Sequence, residues 1–281
     1  MPIRTDLAIE SEIGQEVQGI EKEELQKGKL KVTRICIKEK EAAKLIGKPM
    51  GEYITIEGGR LTEPVESVTE EIEVIKEEIA KLLPEEGEIM VTGLGNTDIT
   101  PDALGPESIR YILATRHIQG EFARSAGLEN LRSVSAIAPG VLGQTGIEVS
   151  ELLNGVVEHM HPSAVIVIDA LAAREASRLG STVQISNTGI CPGSGVGNHR
   201  KEISEKTIGV PVIAIGIPTV VDAWTLVHDL TGGTELQGEG MIVTPREIDL
   251  LIERASRIIG MAVNGALQPE YHLETLWALV S

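Results

Sequence analysis

Two aspartates follow predicted strands, the position at which an open α/β sheet usually holds its ligand. Asp102 lies in the segment after the apolar run Ile89–Val91, and Asp169 comes directly after Val165–Ile168. If the two carboxyl groups meet, their like charges resist double ionisation, so one keeps a proton while the other draws a proton from water. Peptide-bond hydrolysis without a metal or a nucleophilic Ser or Cys needs this division of acid and base.

The same two aspartates also have a structural interpretation. They are remote in sequence and meet only if their strands lie close together in the sheet. Asp102 could cap the helix that follows Pro101, and Asp169 could pair with Arg174. From position alone, the catalytic and the structural interpretations carry equal weight.

Glycine-rich and polar segments are candidates for the wall of the same cleft. Gly93-Leu94-Gly95 resembles the start of a dinucleotide-binding motif, but Asp98 replaces the third glycine and would face the pyrophosphate. The loop at 193–201 lacks the ending of a P-loop, which favours a tight loop lining a cleft. Thr219 and Asp222 could border the cleft or cap the next helix. The residues that we expect in the wall are Asn96, Gly140, Gly193, Ser194, Asn198, Thr219 and Asp222.

Composition excludes several classes of function. The chain has 281 residues, a formal net charge of −17 and 2% aromatic residues, so it would repel nucleic-acid phosphates and offers few rings for base stacking. Its apolar runs are too short to cross a bilayer, and Met1–Arg4 opens no signal peptide, so we expect a cytosolic protein without a membrane partner. Cys36 and Cys191 form no metal motif or disulfide framework, and the pair His159 and His161 lacks further ligands. We expect no metal and no cofactor.

The order of predicted elements indicates an α/β fold with a mostly parallel sheet flanked by helices. Short apolar runs between turn residues predict buried strands at Ile89–Val91, Val134–Ala138, Ala164–Ile168, Val183–Ile185 and Val212–Ile217. Helical patterns lie at Glu107–Gln119, Glu148–Met160 and Leu171–Leu179, and this alternation is typical of a sheet covered on both faces. A late helix is predicted over Thr244–Val263, with Asn264-Gly265 at its end.

The first part of the chain has a different texture. Residues 7–88 are rich in Glu and Lys, with alternating stretches at Lys29–Lys38 and Gly51–Glu57 that predict strands near solvent. An apolar stripe over Leu61–Leu83 predicts an amphipathic helix. We therefore expect an N-terminal β-containing appendage at 7–88 and a catalytic α/β domain at 89–281.

Segments spread over nearly the whole chain carry a specific resemblance. They are Arg4–Glu10, Gly93–Asn96, Thr100–Pro106, Val134–Ile137, Pro139-Gly140, Asp169–Arg174, Gly193–Asn198, Arg200–Glu202, Gly216–Ala223 and Met241–Pro245. Together they resemble the spore germination protease family, endopeptidases that degrade small acid-soluble spore proteins when spore-forming bacteria germinate. The resemblance implies an atypical aspartic peptidase of the spore core whose catalytic aspartates fall on Asp102 and Asp169. It also implies a homotetramer and a fold similar to the hydrogenase-maturation-protease type of α/β sandwich.

The same resemblance implies a zymogen that removes its own N-terminal segment. The family's cleavage sequence is an acidic residue, then an apolar one, then Ala, and Asp6-Leu7-Ala8 fits it. We expect cleavage between Asp6 and Leu7 to release residues 1–6 as a short propeptide. A zymogen must hide its cleft, and we expect part of residues 7–88 to cover it.

Two features depart from the family pattern, and two other functions remain open. The segment from His228 to Met241 is shorter than we expect in some members, and Asp98 adds a carboxylate near Asp102, for which we favour a surface position. A metal-dependent maturation-type peptidase could use the same carboxylates to hold a divalent ion. A non-catalytic peptide-binding module would also suit an acidic cleft, but it would not cleave itself at Asp6.

Overall fold

The computed structural model describes residues 5–11, 17–59, 61–118, 120–126, 128, 130–194, 200–231 and 241–280. Nine strands in this part of the chain form one sheet, in the order β1-β2-β3-β7-β8-β6-β4-β5 with β9 paired to β8. In chain order they are β1 Ile20–Lys27, β2 Leu30–Ile37, β3 Gly51–Glu57, β4 Ile89–Gly93, β5 Val134–Ile137, β6 Ala164–Ala173, β7 Thr182–Ser186, β8 Val212–Asp222 and β9 Ile242–Val243.

The α/β class is confirmed, and the parallel pairing belongs to the part of the sheet that carries the two aspartates. Strands β5, β4, β6 and β8 are parallel neighbours, whereas β7 joins β8 antiparallel and continues antiparallel into β3, β2 and β1. Parallel strands point their carboxyl ends to one edge, so this edge gathers the residues after β4, β6 and β8.

Helices cover both faces of the parallel strands. In chain order the α-helices are α1 Lys40–Ile46, α2 Thr69–Ala80, α3 Leu104–Ile109, α4 Gly120–Ala126, α5 Leu142–Thr145, α6 Val149–Met160, α7 Glu205–Ile208, α8 Ala223–Thr231, α9 Ile248–Leu267 and α10 Leu273–Val280. The main core packs α2, α3, α9 and α10 on one face against residues such as Ile166 and Ile168. The opposite face packs α6 and α7 against Val165 and Val167. Because both faces are covered, the central strands are mostly apolar, and Asp169 of β6 is an exception.

The segment after Asp169 is a strand where a helix was predicted. The pattern at Leu171–Leu179 predicted a helix, but β6 continues through Ala173 and only a short 3-10 turn at Ala176–Arg178 follows. Residues 171–173 pair with β8 across a register shift, so the neighbouring strand fixes an extended conformation. As a result, Asp169 lies inside a strand rather than at its end.

Helix boundaries differ from the prediction at two other places. The pattern over Glu107–Gln119 gives only α3, which ends at Ile109. The late helix runs from Ile248 to Leu267. It begins later than predicted because the Thr244 hydroxyl bonds to the Thr219 carbonyl instead of capping the helix. Asn264 does not end it, since its buried amide donates to Tyr111 O and accepts from Leu113 N.

The N-terminal region extends the sheet beside the parallel strands. Its first strand, β1, was not predicted because it has no apolar alternation and lies almost wholly exposed at the sheet edge. Buried Glu78 of α2 links this edge to the core through Lys27 and Arg34. Within the ranges given above, no helix is long and apolar enough to span a membrane.

Candidate active site

Asp102 is held by a tight turn between β4 and α3. Thr100–Asp102 form a 3-10 turn, and the Asn96 amide donates to both the carbonyl oxygen of Asp102, at 3.1 Å, and its Oδ2, at 2.9 Å. The hydroxyl of Thr219, on β8, donates to the carbonyl of Pro101 at 2.7 Å. The carboxyl group is therefore fixed from its own loop and from a neighbouring strand.

Asp169 projects from β6 on the face that packs against α6. It shares this face with Val165 and Val167, which belong to the core packed there. Its residue surface is only 5% exposed. Its Oδ1 accepts a hydrogen bond from the Ala170 amide at 2.9 Å. A carboxyl group at this depth has lost most of its hydration, which disfavours the charged form.

The two carboxyl groups line one cavity of about 390 Å³. Burial raises the pKa of Asp169 well above its ordinary value, and the charges of Asp102 and Asp6 raise it further. Burial also raises the pKa of Asp102, but the Asn96 hydrogen bond and the charge of Arg200 oppose that shift. Asp169 is therefore the better proton holder, and Asp102 the better proton acceptor.

Two glycines bring the Asp102 turn close to β6. A Cβ on Gly105, in α3, would lie 2.2 Å from the Leu94 carbonyl oxygen and 2.5 Å from that of Ile168. A Cβ on Gly93 would lie 2.1 Å from the carbonyl oxygen of Gly105. Only residues without a side chain allow this approach, which places the start of α3 against the residue that precedes Asp169.

A third carboxylate, that of Asp6, lies in the same cavity. The Asp6 amide donates to the carbonyl of Ala172 at 2.9 Å, and the Ala172 amide donates to Asp6 Oδ2 at 2.8 Å. Leu7, with no exposed surface, packs against Leu171, Ala173 and Val221. The N-terminal segment is therefore docked beside the two aspartates as an extended peptide.

Comparisons with known proteins agree with a peptide-cleaving site. A family model described as germination protease matches residues 3–232. This chain belongs to the germination protease family. Among relatives of that name, the one from Caldanaerobacter subterraneus subsp. tengcongensis is 42% identical, with 95% of this chain and 94% of the relative covered. The one from Clostridium perfringens is 39% identical, with 98% of each covered.

A relative from Bacillus velezensis is 46% identical, over 81% of this chain and 65% of the relative, and is also a germination protease. Among solved structures, a [NiFe] hydrogenase maturation protease from Thermococcus kodakarensis KOD1 gives a TM-score of 0.38 at 16% identity, covering 68% of this chain and 98% of that one. Membership of the germination protease family makes the chain a hydrolase, a spore-germination endopeptidase.

The structure distributes the predicted wall residues of this germination protease family member over two cavities. Gly140, Gly193 and Thr219 line the cavity of Asp102 and Asp169. Ser194 lines a second cavity of about 310 Å³, which shares Asp6 with the first, and its hydroxyl donates to Asp6 Oδ1 at 2.6 Å. Asn198 lies outside the described residues.

Asn96 and Asp222, which were predicted in the wall, and Asp98, which was expected at the surface, lie beside the cavity rather than in its described wall. Asn96 acts through its backbone amide, as above, and its side-chain oxygen accepts from Gln144 at 2.8 Å. Asp98 is exposed and also accepts from Gln144. The carboxylate of Asp222 caps α8 by accepting from the Thr225 amide at 3.0 Å.

Two residues that the sequence did not single out contact the docked segment. The ammonium of Lys48 donates to the carbonyl oxygens of Thr5, at 3.0 Å, and Asp6, at 2.9 Å. The side-chain amide of Gln184 donates to the same Asp6 oxygen at 3.0 Å and accepts from the Ala8 amide at 2.7 Å. A glutamine in the buried strand β7 was a signal, whereas Lys48 in a lysine-rich region gave none.

The described part of the N-terminal region reaches the cavity of the two aspartates at one residue. Of residues 5–11, 17–59 and 61–88, only Asp6 lines the cavity of the two aspartates. Lys48 and Tyr53 line the second cavity. Among all the residues that the structure describes, no group of three or more His, Cys, Asp and Glu side chains is arranged to hold a metal ion.

Proposed function

We propose that this germination protease family member is an aspartic-type endopeptidase that cuts itself between Asp6 and Leu7. The observation that carries the proposal is that Asp6, Asp102 and Asp169 line one cavity. The raised pKa of Asp169 supports its role as the acid. The hydrogen bond from Asn96 and the positive charge of Arg200 support an ionised Asp102 as the base.

The proposed reaction uses one water molecule. Ionised Asp102 takes a proton from the water, and the water oxygen attacks the carbonyl carbon of Asp6, whose π electron pair moves to its oxygen. When the carbonyl re-forms, the bond to the Leu7 nitrogen breaks and protonated Asp169 gives its proton to that nitrogen. Asp102 then holds a proton and Asp169 is ionised, so one proton must return to Asp169 before the next cycle.

The finer assignments follow the family resemblance. We propose that the substrates are small acid-soluble spore proteins, that the enzyme acts in the spore core, and that it assembles as a homotetramer. Relatives named germination protease, covered over nearly their whole length, support a protease that acts on proteins during germination. We keep the division into a propeptide at 1–6, a covering N-terminal region at 7–88 and a catalytic domain at 89–281 as part of the proposal.

The test is self-cleavage followed by intact-mass spectrometry. The wild-type chain should lose residues 1–6, and Asp102→Asn and Asp169→Asn should each keep them while remaining folded by circular dichroism. Asp98→Asn, a change of an exposed aspartate in the same loop, is the matched control and should process normally. Normal processing by either dyad variant would overturn the mechanism, and loss of processing only in a chelator would favour a metal-dependent peptidase.

A further inference from the structure

In the docked segment, every polar group of Asp6 is hydrogen-bonded to a residue elsewhere in the chain. Its amide bonds to the Ala172 carbonyl, one carboxylate oxygen accepts from the Ala172 amide, and the other accepts from the Ser194 hydroxyl. The donor from Ala172 belongs to the backbone and has no acceptor capacity, so it requires an acceptor oxygen at this point. Hydrogen bonds to an ionised acceptor are also stronger than those to a neutral one.

The carbonyl oxygen of Asp6 has two donors of its own. Lys48 Nζ lies at 2.9 Å and Gln184 Nε2 at 3.0 Å from it. Within the described part of the chain, Lys48 has no carboxylate at ion-pair distance, so its charge is directed at this carbonyl and that of Thr5. Two donors at these distances match the geometry of sites that stabilise an oxyanion.

The sheet register relates this cluster to the acid residue. Gly216 of β8 is the direct partner of Asp169 on one side and of Gln184 on the other. Directly paired residues project from the same face of a sheet, so Asp169 and Gln184 flank a residue without a side chain. Leu171 fills the space over Gly216, since a Cβ there would lie 2.5 Å from its Cγ. The docked Asp6 carbonyl therefore lies on the face of the sheet that carries Asp169.

We propose that Ser194, the Ala172 amide, Lys48 and Gln184 form the subsite for the acidic residue before the cleaved bond. Ser194 and Ala172 bind the carboxylate, and Lys48 and Gln184 bind the carbonyl oxygen. This inference rests on the proposed function, because it takes Asp6–Leu7 as the bond that is cut. The ligand class is an Asp or Glu residue in an extended peptide.

The subsite has two consequences. When water adds to the carbonyl carbon, the negative charge that forms on the Asp6 oxygen meets the Lys48 ammonium and the Gln184 amide, so both residues stabilise the transition state. Before cleavage, Asp6 itself fills the subsite and excludes the acidic residue of any other peptide. Departure of residues 1–6 frees the four groups for a protein substrate.

The test measures the rate of self-cleavage by intact mass in a double-mutant cycle. Ser194→Ala should slow cleavage about tenfold to a hundredfold, the range expected for one hydrogen bond to a charged group. In an Asp6→Ala background the same change should have no further effect, because Ser194 acts through the missing carboxylate. Lys48→Met should slow cleavage about 10²- to 10³-fold in either background, because it acts on a backbone carbonyl.

Lys44→Met, at an exposed position of α1, is the matched control for loss of a lysine and should process at the wild-type rate. An undiminished effect of Ser194→Ala in the Asp6→Ala background, or a wild-type rate for Lys48→Met, would overturn the subsite while leaving the aspartic mechanism intact. If the wild-type chain itself does not cleave, the proposed function fails. Amide hydrogen exchange over residues 5–8 of the intact chain then decides the subsite, which predicts faster exchange in Ser194→Ala and Lys48→Met than in Lys44→Met.

Discussion

Gly105 sets the approach of the Asp102 loop to β6, and replacing it should separate the carboxyl groups of Asp102 and Asp169. An added Cβ would lie 2.2 Å from the Leu94 carbonyl oxygen, whereas contacts of real Cβ atoms under 3.0 Å are essentially never seen. Gly105→Ala must therefore move the start of α3 by about 0.8 Å. Two of the opposing atoms are backbone oxygens, those of Leu94 and Ile168, which cannot turn aside as a flexible side chain would.

The expected cost has two parts. Overpacking of a well-packed site typically destabilises a protein by about 1–3 kcal/mol. A displacement near 1 Å between catalytic groups can lower the rate about 10²-fold. We therefore expect Gly105→Ala to remain folded, with a lower free energy of unfolding in urea and a loss of self-cleavage much larger than its loss of stability explains.

Gly155→Ala provides the matched control. Gly155 is exposed within α6, and a Cβ there would meet no atom within 4 Å. The same substitution should stabilise the chain by about 0.5–1 kcal/mol through helix propensity and leave processing unchanged. Equal stability and equal cleavage rates for Gly105→Ala and Gly155→Ala would refute the argument that glycine packing positions Asp102.

Two further predictions concern the anchoring and the titration of the dyad. Thr219→Val, at a position that is 1% exposed, removes the donor to Pro101 and should cost about 1–3 kcal/mol in urea unfolding while lowering kcat; Thr219→Ser should restore kcat, and failure to do so would exclude the hydroxyl as the cause. Because burial and two carboxylates raise the pKa of Asp169, the folded chain keeps a proton that the unfolded chain releases above about pH 4. Relative to Asp169→Asn, the free energy of unfolding of the wild type should therefore fall as pH rises from about 4 through the folded pKa of Asp169, by up to about 1.4 kcal/mol per pH unit. Urea unfolding at several pH values measures it, and the same pH dependence in both proteins would contradict the raised pKa.

The central strands could be predicted because local pattern and tertiary environment agree there. Both faces of β4 and β6 are covered, so burial selects apolar residues at most of their positions. The strand character of Leu171–Ala173 could not be predicted, since β8, remote in sequence, imposes it. Edge strand β1 was missed for the opposite reason: its side chains are mostly exposed, so its sequence carries no period of two.

The candidate site shows the same division. Asp102 and Asp169 were singled out because each follows a predicted strand, and Asp6 because Asp6-Leu7-Ala8 fits the cleavage sequence that the family resemblance implies. Lys48 was not found, because its role depends on where the N-terminal segment docks. Gln184 reaches the Asp6 carbonyl only through the antiparallel pairing of β7 with β8, which no local pattern encodes.

The docked segment connects processing with the chemistry of the dyad. Asp6 is one of two neighbouring charges that raise the pKa of Asp169, the other being Asp102. On the proposed function, the first cleavage releases Asp6 and therefore removes one of these charges, while Asp102 remains. The pKa of Asp169 then falls, so this carboxyl group holds its proton less firmly while the subsite is empty. A substrate that carries Asp or Glu at the same position restores the second charge each time it binds, so the acid keeps its proton when a substrate is in place and releases it more easily when the subsite is empty.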